Sequence, residues 1–160
     1  MTATVATDTA KTIAAGDPVA AAKALMPRIR AARDEIEDKR SLPVDLVEAM
    51  AAANLLQLGL PRSAGGPEHD PLTSFQAIEA LARADGSVGW CASIASSVSV
   101  TVGGWLSPQV LIGMFGSPPD ARIAGSVRPE GTALQYGDGY LVSGRWDFAS
   151  GIEHANWLFC

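Results

Sequence analysis

The sequence predicts an α+β fold, in which an all-helical N-terminal part is followed by antiparallel strands. Apolar residues recur at helical spacing as far as about residue 116. After residues 117–120 (SPPD) the hydrophobic period falls from about 3.6 to 2, which is typical of strands. Because helices come first and strands follow, we expect two segregated parts, a helical domain at 17–119 and a β region at 120–160.

Five helices are predicted in the first part. Asp-Pro pairs at 17–18 and 70–71 and the Ser-Pro pair at 107–108 mark the starts of the first, third and fifth helices. The first is expected to run through Ile36, with a kink or a reset at Pro27. A break at residues 41–43 precedes the second, whose apolar stripe contains Leu46 and Met50. The fourth covers residues 86–104 and carries no charge.

Strands are predicted at residues 122–127, 132–136, 140–146 and from about 156. The second and third form a hairpin, because residues 137–139 (GDG) contain the Asp-Gly turn signal. Residues 155–160 resemble a strand that stops midway, since no turn, cap or polar tail follows them. The sequence therefore predicts a fragment, or a truncated product, of a longer protein.

Composition narrows the function classes. The chain of 160 residues is 48% hydrophobic and 18% charged, and its net charge of -5 argues against binding nucleic acid. Cys91 and Cys160 follow no metal or redox spacing, which favours a reducing, cytoplasmic setting. Residues 1–16 lack the apolar segment of a signal peptide and are expected to be a disordered leader. The uncharged fourth helix is rich in serine, so we interpret it as a buried helix and not a membrane span.

Residues 144–151 (GRWDFASG) are the strongest functional signal in the chain. If they form a strand, Trp146, Phe148 and Ser150 share one face and offer two aromatic surfaces and a hydroxyl. That set suits a flat redox-active ring, although an ordinary core strand explains it as well. His69 and His154 stand beside carboxylates, but such pairs are weak evidence for acid-base catalysis. No cluster of His, Cys and carboxylates has the spacing of a metal site, so no metal is expected.

Three segments resemble the acyl-CoA dehydrogenase superfamily: residues 58–66 (LGLPRSAGG), 78–90 (IEALARADGSVGW) and 137–144 (GDGYLVSG). Residues 87–90 (SVGW) together with 144–151 are similar to one branch, the oxygenase components of two-component flavin-dependent monooxygenases. The loop at 124–132 (AGSVRPEGT) lacks the Thr-Glu signature of the true dehydrogenases, which favours this branch. The resemblance implies a helical domain followed by the start of a middle β-barrel, whereas a C-terminal helical bundle is not in this chain.

The resemblance also implies which residues form the site. Phe148 would pack on the isoalloxazine ring and Ser150, as the catalytic hydroxyl, would lie near flavin N5. The implied cofactor-binding residues are Gly125, Ser126, Phe148, Ala149 and Ser150. The implied substrate-binding residues are Trp90, Ile94 and Val98. Phenol hydroxylases of the branch often carry a His near the position of Val98; its absence here makes a less polar aromatic or polycyclic substrate as plausible as a phenol.

The implied reaction is hydroxylation through a C4a-hydroperoxyflavin. A separate flavin reductase would supply reduced FMN or FAD, O2 would be the second substrate, and the full-length protein would be a homotetramer. An apolar pocket would protect the intermediate by excluding water. Two alternatives stay open at this stage. One is an FAD-dependent acyl-CoA dehydrogenase, and the other, if 160 residues make the whole protein, is a non-catalytic helical module.

Overall fold

The structure, a computed structural model, describes residues 16–116 and 121–160. The expectations for the N-terminal leader (apart from residue 16) and for the linker at 117–120 fall outside this part. The α-helices are α1 (Pro18–Ala31), α2 (Arg33–Lys39), α3 (Val44–Ala52), α4 (Pro71–Ala84), α5 (Gly86–Trp105) and α6 (Pro108–Phe115). The strands are β1 (Ile123–Gly125), β2 (Gly131–Tyr136), β3 (Gly139–Gly144) and β4 (Trp157–Phe159). Helices before strands confirm the predicted α+β class.

The capping residues start the helices where the sequence predicted. The Asp17 carboxylate accepts hydrogen bonds from the first backbone amides of α1, and Asp70 does the same for α4. Ser107 caps α6, and Asp85 caps α5 by accepting from the amides of Ser87 and Val88. Each cap accepts hydrogen bonds from amides that have no partner inside the helix. The start of each helix is therefore determined by residues within its first turn.

The first predicted helix is divided at a different place from the one expected. α1 continues through Pro27, and the break comes at Ala32, where the backbone has φ -89° and ψ 0°. α2 then begins at Arg33. Ile29 and Ile36, on either side of the break, are both buried, so the two helices keep a common apolar face.

The main core lies among α1 to α5. Its largest fully buried side chains include Ile29, Leu46, Met50 and Leu81. α4 packs against both α1 and α5. The approach of α4 to α5 depends on Gly89, because a Cβ at that position would lie 2.5 Å from the Cβ of Ala82. The helical core thus fixes α5, which carries the predicted substrate-binding residues.

The β region is joined to the helices by a smaller core. Ala121 and Ile123 are buried against side chains from α5 and α6, among them Val102 and Phe115. Next to this cluster, buried Gln57 donates from Nε2 to the carbonyl oxygen of Ala121 at 2.8 Å. A second cluster and a buried hydrogen bond therefore hold the start of the β region on the helices.

The four strands form two separate pairs. β2 and β3 are an antiparallel hairpin in which Gly131 is opposite Gly144, and Gly137 takes the turn with φ +57°. β1 and β4 pair in parallel, with Ile123 opposite Trp157. The hairpin is the one the sequence predicted. The parallel pairing was not, because it joins strands that are far apart in the chain and no local pattern encodes it.

Residues 145–151 are not a strand, which corrects the prediction that Trp146, Phe148 and Ser150 share a strand face. β3 ends at Gly144, and the segment continues in turns, with Phe148 at φ +63°. Trp146 folds back over the open end of the hairpin, where a Cβ at Gly131 would lie 2.2 Å from its ring. A side chain larger than hydrogen at Gly131 would displace the indole, so Trp146 is held as part of the hairpin.

No helix in the part of the chain that the structure describes is long and apolar enough to cross a membrane.

Candidate functional site

A cavity of about 320 Å³ lies between α5 and the β region; we call it the seam cavity. Its size falls at the lower end of the range of small-molecule sites. The cavity gathers five of the residues singled out by the sequence, which come from α5, from β1 and its following loop, and from the 145–151 turn. These are Ile94, Val98, Gly125, Ser126 and Phe148. The structure therefore brings predicted cofactor and substrate residues to one place.

Gly125 sets the width of the seam cavity. A Cβ at this position would lie 3.0 Å from Cγ2 of Val98 and 3.4 Å from the carbonyl oxygen of Phe159. β1 therefore approaches α5 closely, and a larger residue at 125 would push Val98 aside. The glycine thus lets β1, which carries a predicted cofactor-binding residue, lie against α5 at Val98, a predicted substrate-binding residue.

Ser126 is buried, and both of its donors are used within the protein. Its amide donates to the carbonyl oxygen of Phe159 at 2.9 Å, and its hydroxyl donates to the carbonyl oxygen of Asp147 at 3.2 Å. A serine oxygen keeps lone pairs when its hydrogen is engaged. Ser126 could therefore accept a hydrogen bond from a ligand, but the side chain has no free hydrogen to donate.

Phe148 has the features of a binding surface and not of a core residue. Its side chain is 81% exposed, and its backbone is left-handed, which is uncommon for an aromatic residue. Such strained positions cluster at functional sites. The Arg128 guanidinium lies 5.0 Å from the ring centroid in a cation–π contact. Sequence reasoning missed Arg128; its position two residues after Ser126, in the same predicted flavin loop, was the available signal.

Ser150 and Ala149 do not line the seam cavity. They border a second cavity of about 390 Å³, formed by α2, the first turns of α5 and residues 149–154. Ser150 accepts a hydrogen bond from the indole Nε1 of Trp90 at 2.9 Å. Trp90, predicted to bind substrate, thus contacts a predicted cofactor residue, and it does not line the seam cavity with Ile94 and Val98.

The second cavity also contains Cys91 and His154, to which the sequence assigned no role. Burial raises the pKa of the Cys91 thiol, and Asp85 raises it further. Burial lowers the pKa of His154, and the positive charge of Arg122 adds to the effect. The Nδ1 atom of His154 is buried and makes no hydrogen bond with the residues the structure describes. Both groups are therefore held in their uncharged forms near neutral pH.

The α5 wall of the seam cavity carries no ionisable group. Of its two hydroxyls, at Ser97 and Thr101, that of Thr101 donates to the carbonyl oxygen of Ser97 one turn earlier, at 3.0 Å. Ile94 and Val98 supply the apolar surface between them. Across residues 16–116 and 121–160 there is also no group of three or more His, Cys, Asp or Glu side chains that could hold a metal ion. The α5 wall is thus uncharged, and it carries the hydroxyls of Ser97 and Thr101 beside this aliphatic surface.

Comparison with known proteins relates this geometry to a family. Residues 19–105 match the family model of the acyl-CoA dehydrogenase N-terminal domain. Over 138 residues the chain is 34% identical to the oxygenase subunit HsaA, a flavin-dependent monooxygenase of Rhodococcus jostii. This alignment covers 84% of this chain and 35% of that protein. Over 129 residues it is 33% identical to the indole-3-acetate monooxygenase of Acinetobacter baumannii, covering 81% of the chain and 33% of the relative.

Solved structures give the same result. The HsaA monooxygenase from Mycobacterium tuberculosis has a TM-score of 0.78 at 33% identity, with 89% of this chain and 37% of that chain covered. A complex of TdsC from Paenibacillus with FMN and indole has a TM-score of 0.75 at 25% identity, with coverage of 89% and 38%. The chain spans about 35% of the length of the R. jostii relative. The similarity thus covers most of this chain and only part of each relative.

Proposed function

Because this chain belongs to the acyl-CoA dehydrogenase N-terminal domain family, we propose that it forms part of the oxygenase component of a two-component flavin-dependent monooxygenase. The substrate is an aromatic or polycyclic molecule. The observation that carries the proposal is the seam cavity, where Phe148 and Ser126 lie opposite Ile94 and Val98. The relatives named as monooxygenases support the same activity.

The residues around the seam cavity fit a flavin ring. Phe148 offers an exposed aromatic face for stacking, and the lone pairs of Ser126 could accept from the N3–H group on the pyrimidine side of the ring. Arg128 already occupies one face of Phe148, so the ring would stack on the other face or displace the guanidinium. The positive charge of Arg128 favours reduced flavin, which is anionic at neutral pH.

The opposite wall suits an apolar aromatic substrate. Ile94 and Val98 present aliphatic surface, and the nearby hydroxyl of Thr101 is already engaged within α5. No ionisable group on this wall is available to bind a phenolate. In the whole protein, an uncharged wall of this kind would contribute to keeping water from the reacting atoms. We therefore infer a substrate bound mainly through its ring faces, with the Ser97 hydroxyl as the polar group that this wall could offer.

When bound, the reduced flavin would supply the electrons and carry the oxygen from O2 as a C4a-hydroperoxyflavin. The proposal includes reduced FMN or FAD as cofactor and a separate reductase as its source. Because the TdsC complex contains FMN and indole, FMN is a suitable first probe. The homotetramer and the cytoplasmic location stay predictions.

The test is rapid mixing of the whole protein, loaded with reduced FMN or FAD, with O2-containing buffer. We expect a transient absorbance of the C4a-hydroperoxyflavin that outlives the same species in free solution, followed by oxygen incorporation into an aromatic substrate. Reduction of bound FAD by an acyl-CoA thioester, without such a transient, would contradict the proposal and support the dehydrogenase instead.

Substitutions at Phe148 and Arg128 test the contribution of single residues to flavin binding. Phe148→Leu should weaken binding of reduced flavin by about threefold to tenfold, the range for one aromatic contact. Arg128→Gln should weaken the binding of reduced flavin more than that of oxidised flavin, because only the reduced isoalloxazine ring carries a negative charge. Tyr140→Leu is a matched control, since this exposed aromatic lies on the hairpin, away from the seam cavity. Equal losses in all three variants would contradict the assignment of the site.

A further inference from the structure

One hydroxyl that lines the seam cavity differs from the other polar groups there. Five polar side chains border this cavity: Ser97, Thr101, Ser126, Arg128 and Asp147. Four of them hydrogen-bond or pair with a neighbour, whereas the Ser97 hydroxyl makes no hydrogen bond with the residues that the structure describes. We propose that Ser97 determines substrate specificity by donating a hydrogen bond to an uncharged acceptor atom on an aromatic ring. The inference rests on the proposed function, because it takes the seam cavity as the substrate site.

The other two hydroxyls of the cavity already donate within the protein. Thr101 donates to the carbonyl oxygen of Ser97 at 3.0 Å, and Ser126 donates to the carbonyl oxygen of Asp147 at 3.2 Å. Each of these oxygens keeps lone pairs, but neither has a free hydrogen. Ser97 is therefore the hydroxyl of this cavity that can offer a ligand its hydrogen.

The helix itself does not use the hydrogen of Ser97. Serine and threonine inside a helix can donate to the carbonyl oxygen one turn earlier. On α5, Ser99 does so to Ala95 at 2.8 Å, and Thr101 does so to Ser97. Among the described residues Ser97 makes no such bond, and its side chain is exposed whereas that of Ser99 is buried. The Ser97 hydrogen thus stays available for a ligand.

The position of Ser97 on α5 places this donor beside apolar surface. Ile94, Ser97, Val98 and Thr101 follow one another at helical spacing, so they share one side of the helix, and all four line the cavity. Ile94 comes one turn before Ser97, and Val98 is its neighbour. A ring that packs on these two aliphatic side chains is therefore within reach of the hydroxyl.

The charged groups that line the cavity suit other ligands. The guanidinium of Arg128 lies 3.4 Å from a carboxylate oxygen of Glu130, and the Asp147 carboxylate lies 3.3 Å from Arg145. A carboxylate can only accept hydrogen bonds, and a guanidinium favours an anionic partner. Ser97 carries no charge, so we expect it to select an uncharged acceptor, such as a ring nitrogen or a carbonyl oxygen.

The test uses the whole protein and two rings of nearly the same shape. Quinoline carries an uncharged ring nitrogen at neutral pH, where naphthalene has a C–H group. The dissociation constants of both are measured by NMR titration, first without flavin and then with saturating oxidised FMN. The variants are Ser97→Ala, Thr101→Val as the matched control, and Arg128→Gln, which removes the charged donor.

We expect Ser97→Ala to weaken quinoline binding by roughly threefold to tenfold, the range for one hydrogen bond, and to leave naphthalene binding within about twofold of the parent. The cost of removing each ring from water is the same for parent and variant, so the change in the ratio of the two constants isolates the contact. Thr101→Val removes a hydroxyl whose hydrogen is already used within α5. This control and Arg128→Gln should each change the ratio by less than about twofold.

Equal losses for quinoline and naphthalene in Ser97→Ala would overturn the inference, because the serine would then act through packing alone. A ratio that changes in Arg128→Gln and not in Ser97→Ala would overturn it too, and would identify the guanidinium as the donor. Both outcomes leave the proposed function intact if the parent binds reduced flavin and gives the hydroperoxyflavin transient. A parent that binds neither FMN nor FAD contradicts the proposed function, while the ratio measured without flavin still decides whether Ser97 contacts the ring.

Discussion

The helical region and the β region of this chain differ in how many of their apolar side chains are buried. All sixteen residues of the main core cluster lie between Ala22 and Ala92, within the helices and the connections between them. In contrast, every residue of β2 and β3 is exposed, including apolar Leu134 and Tyr136. Among residues 121–160, the buried apolar side chains are those of Ala121, Ile123 and Ala124.

This difference separates stability from binding. The helices share a buried apolar core, and apolar burial is the main favourable term in folding. The β region presents aromatic and apolar surface that is free to contact a ligand or another protein surface. Phe148 and the seam cavity lie where the helical region meets the β region. At this junction α5 faces the exposed aromatic surface of Phe148. The predictions below test this division.

The largest expected effect compares two leucines. Leu81 in α4 is fully buried, whereas Leu134 in β2 is 66% exposed. Leu81→Ala should lower the free energy of unfolding by about 2–5 kcal/mol, because it removes buried methyl groups and leaves a cavity. Leu134→Ala should change it by less than about 0.5 kcal/mol. Urea unfolding of the 160-residue chain measures both, and similar losses would refute the division.

The second effect concerns the junction itself. Gln57→Leu removes the buried donor to the carbonyl oxygen of Ala121, which leaves that oxygen without this partner. We expect a loss of about 1–3 kcal/mol in the free energy of unfolding. Gln135→Leu on the exposed hairpin is the matched control and should be close to neutral. If the control is the more destabilising of the two, the proposed junction is wrong.

A third effect separates binding from stability at one residue. Phe148→Asn replaces a strained aromatic with a residue that tolerates the left-handed backbone. Because the phenyl ring is mostly exposed, stability should change by less than about 0.5 kcal/mol. Flavin affinity should fall by about threefold to tenfold. Thermal unfolding and an FMN titration on the same samples check both; a large stability loss would mean that Phe148 is a packing residue.

The smallest effect is a pH dependence at the second cavity. The folded state lowers the pKa of His154, so the unfolded state binds the proton more readily. The resulting contribution to stability is fully present above the usual histidine pKa of about 6.5 and is lost as the pH falls through the folded pKa. Urea midpoints at about pH 7.5 and 5.5 should therefore differ less in His154→Gln than in the parent. A dependence unchanged in His154→Gln would contradict this assignment.

The parts of the fold that the sequence predicted are those with local causes. Capping by Asp17 and Asp70 acts within one helical turn, and the hairpin turn at Gly137 acts within a few residues. The same chemistry could be recognised without knowing the tertiary structure. The alternation in residues 144–151 had the right period for a strand, but the pairing of β3 with β2 ends at Gly144.

The parts that were not predicted depend on contacts between distant residues. The parallel pairing of β1 with β4, the Gln57–Ala121 hydrogen bond and the Trp90–Ser150 hydrogen bond all join segments that are far apart in sequence. The left-handed backbone of Phe148 is held by its surroundings against its own preference. The candidate site residues stay predictions from the sequence, and their division between two cavities depends on these long-range contacts.

The central claim is that flavin binds in the seam cavity, and a structure of the whole protein with FMN tests it most directly. The account predicts that the isoalloxazine ring stacks on Phe148, with its pyrimidine side close to Ser126. A ring bound in the second cavity beside Cys91 and His154, or against the helical region without contacting Phe148, would contradict it.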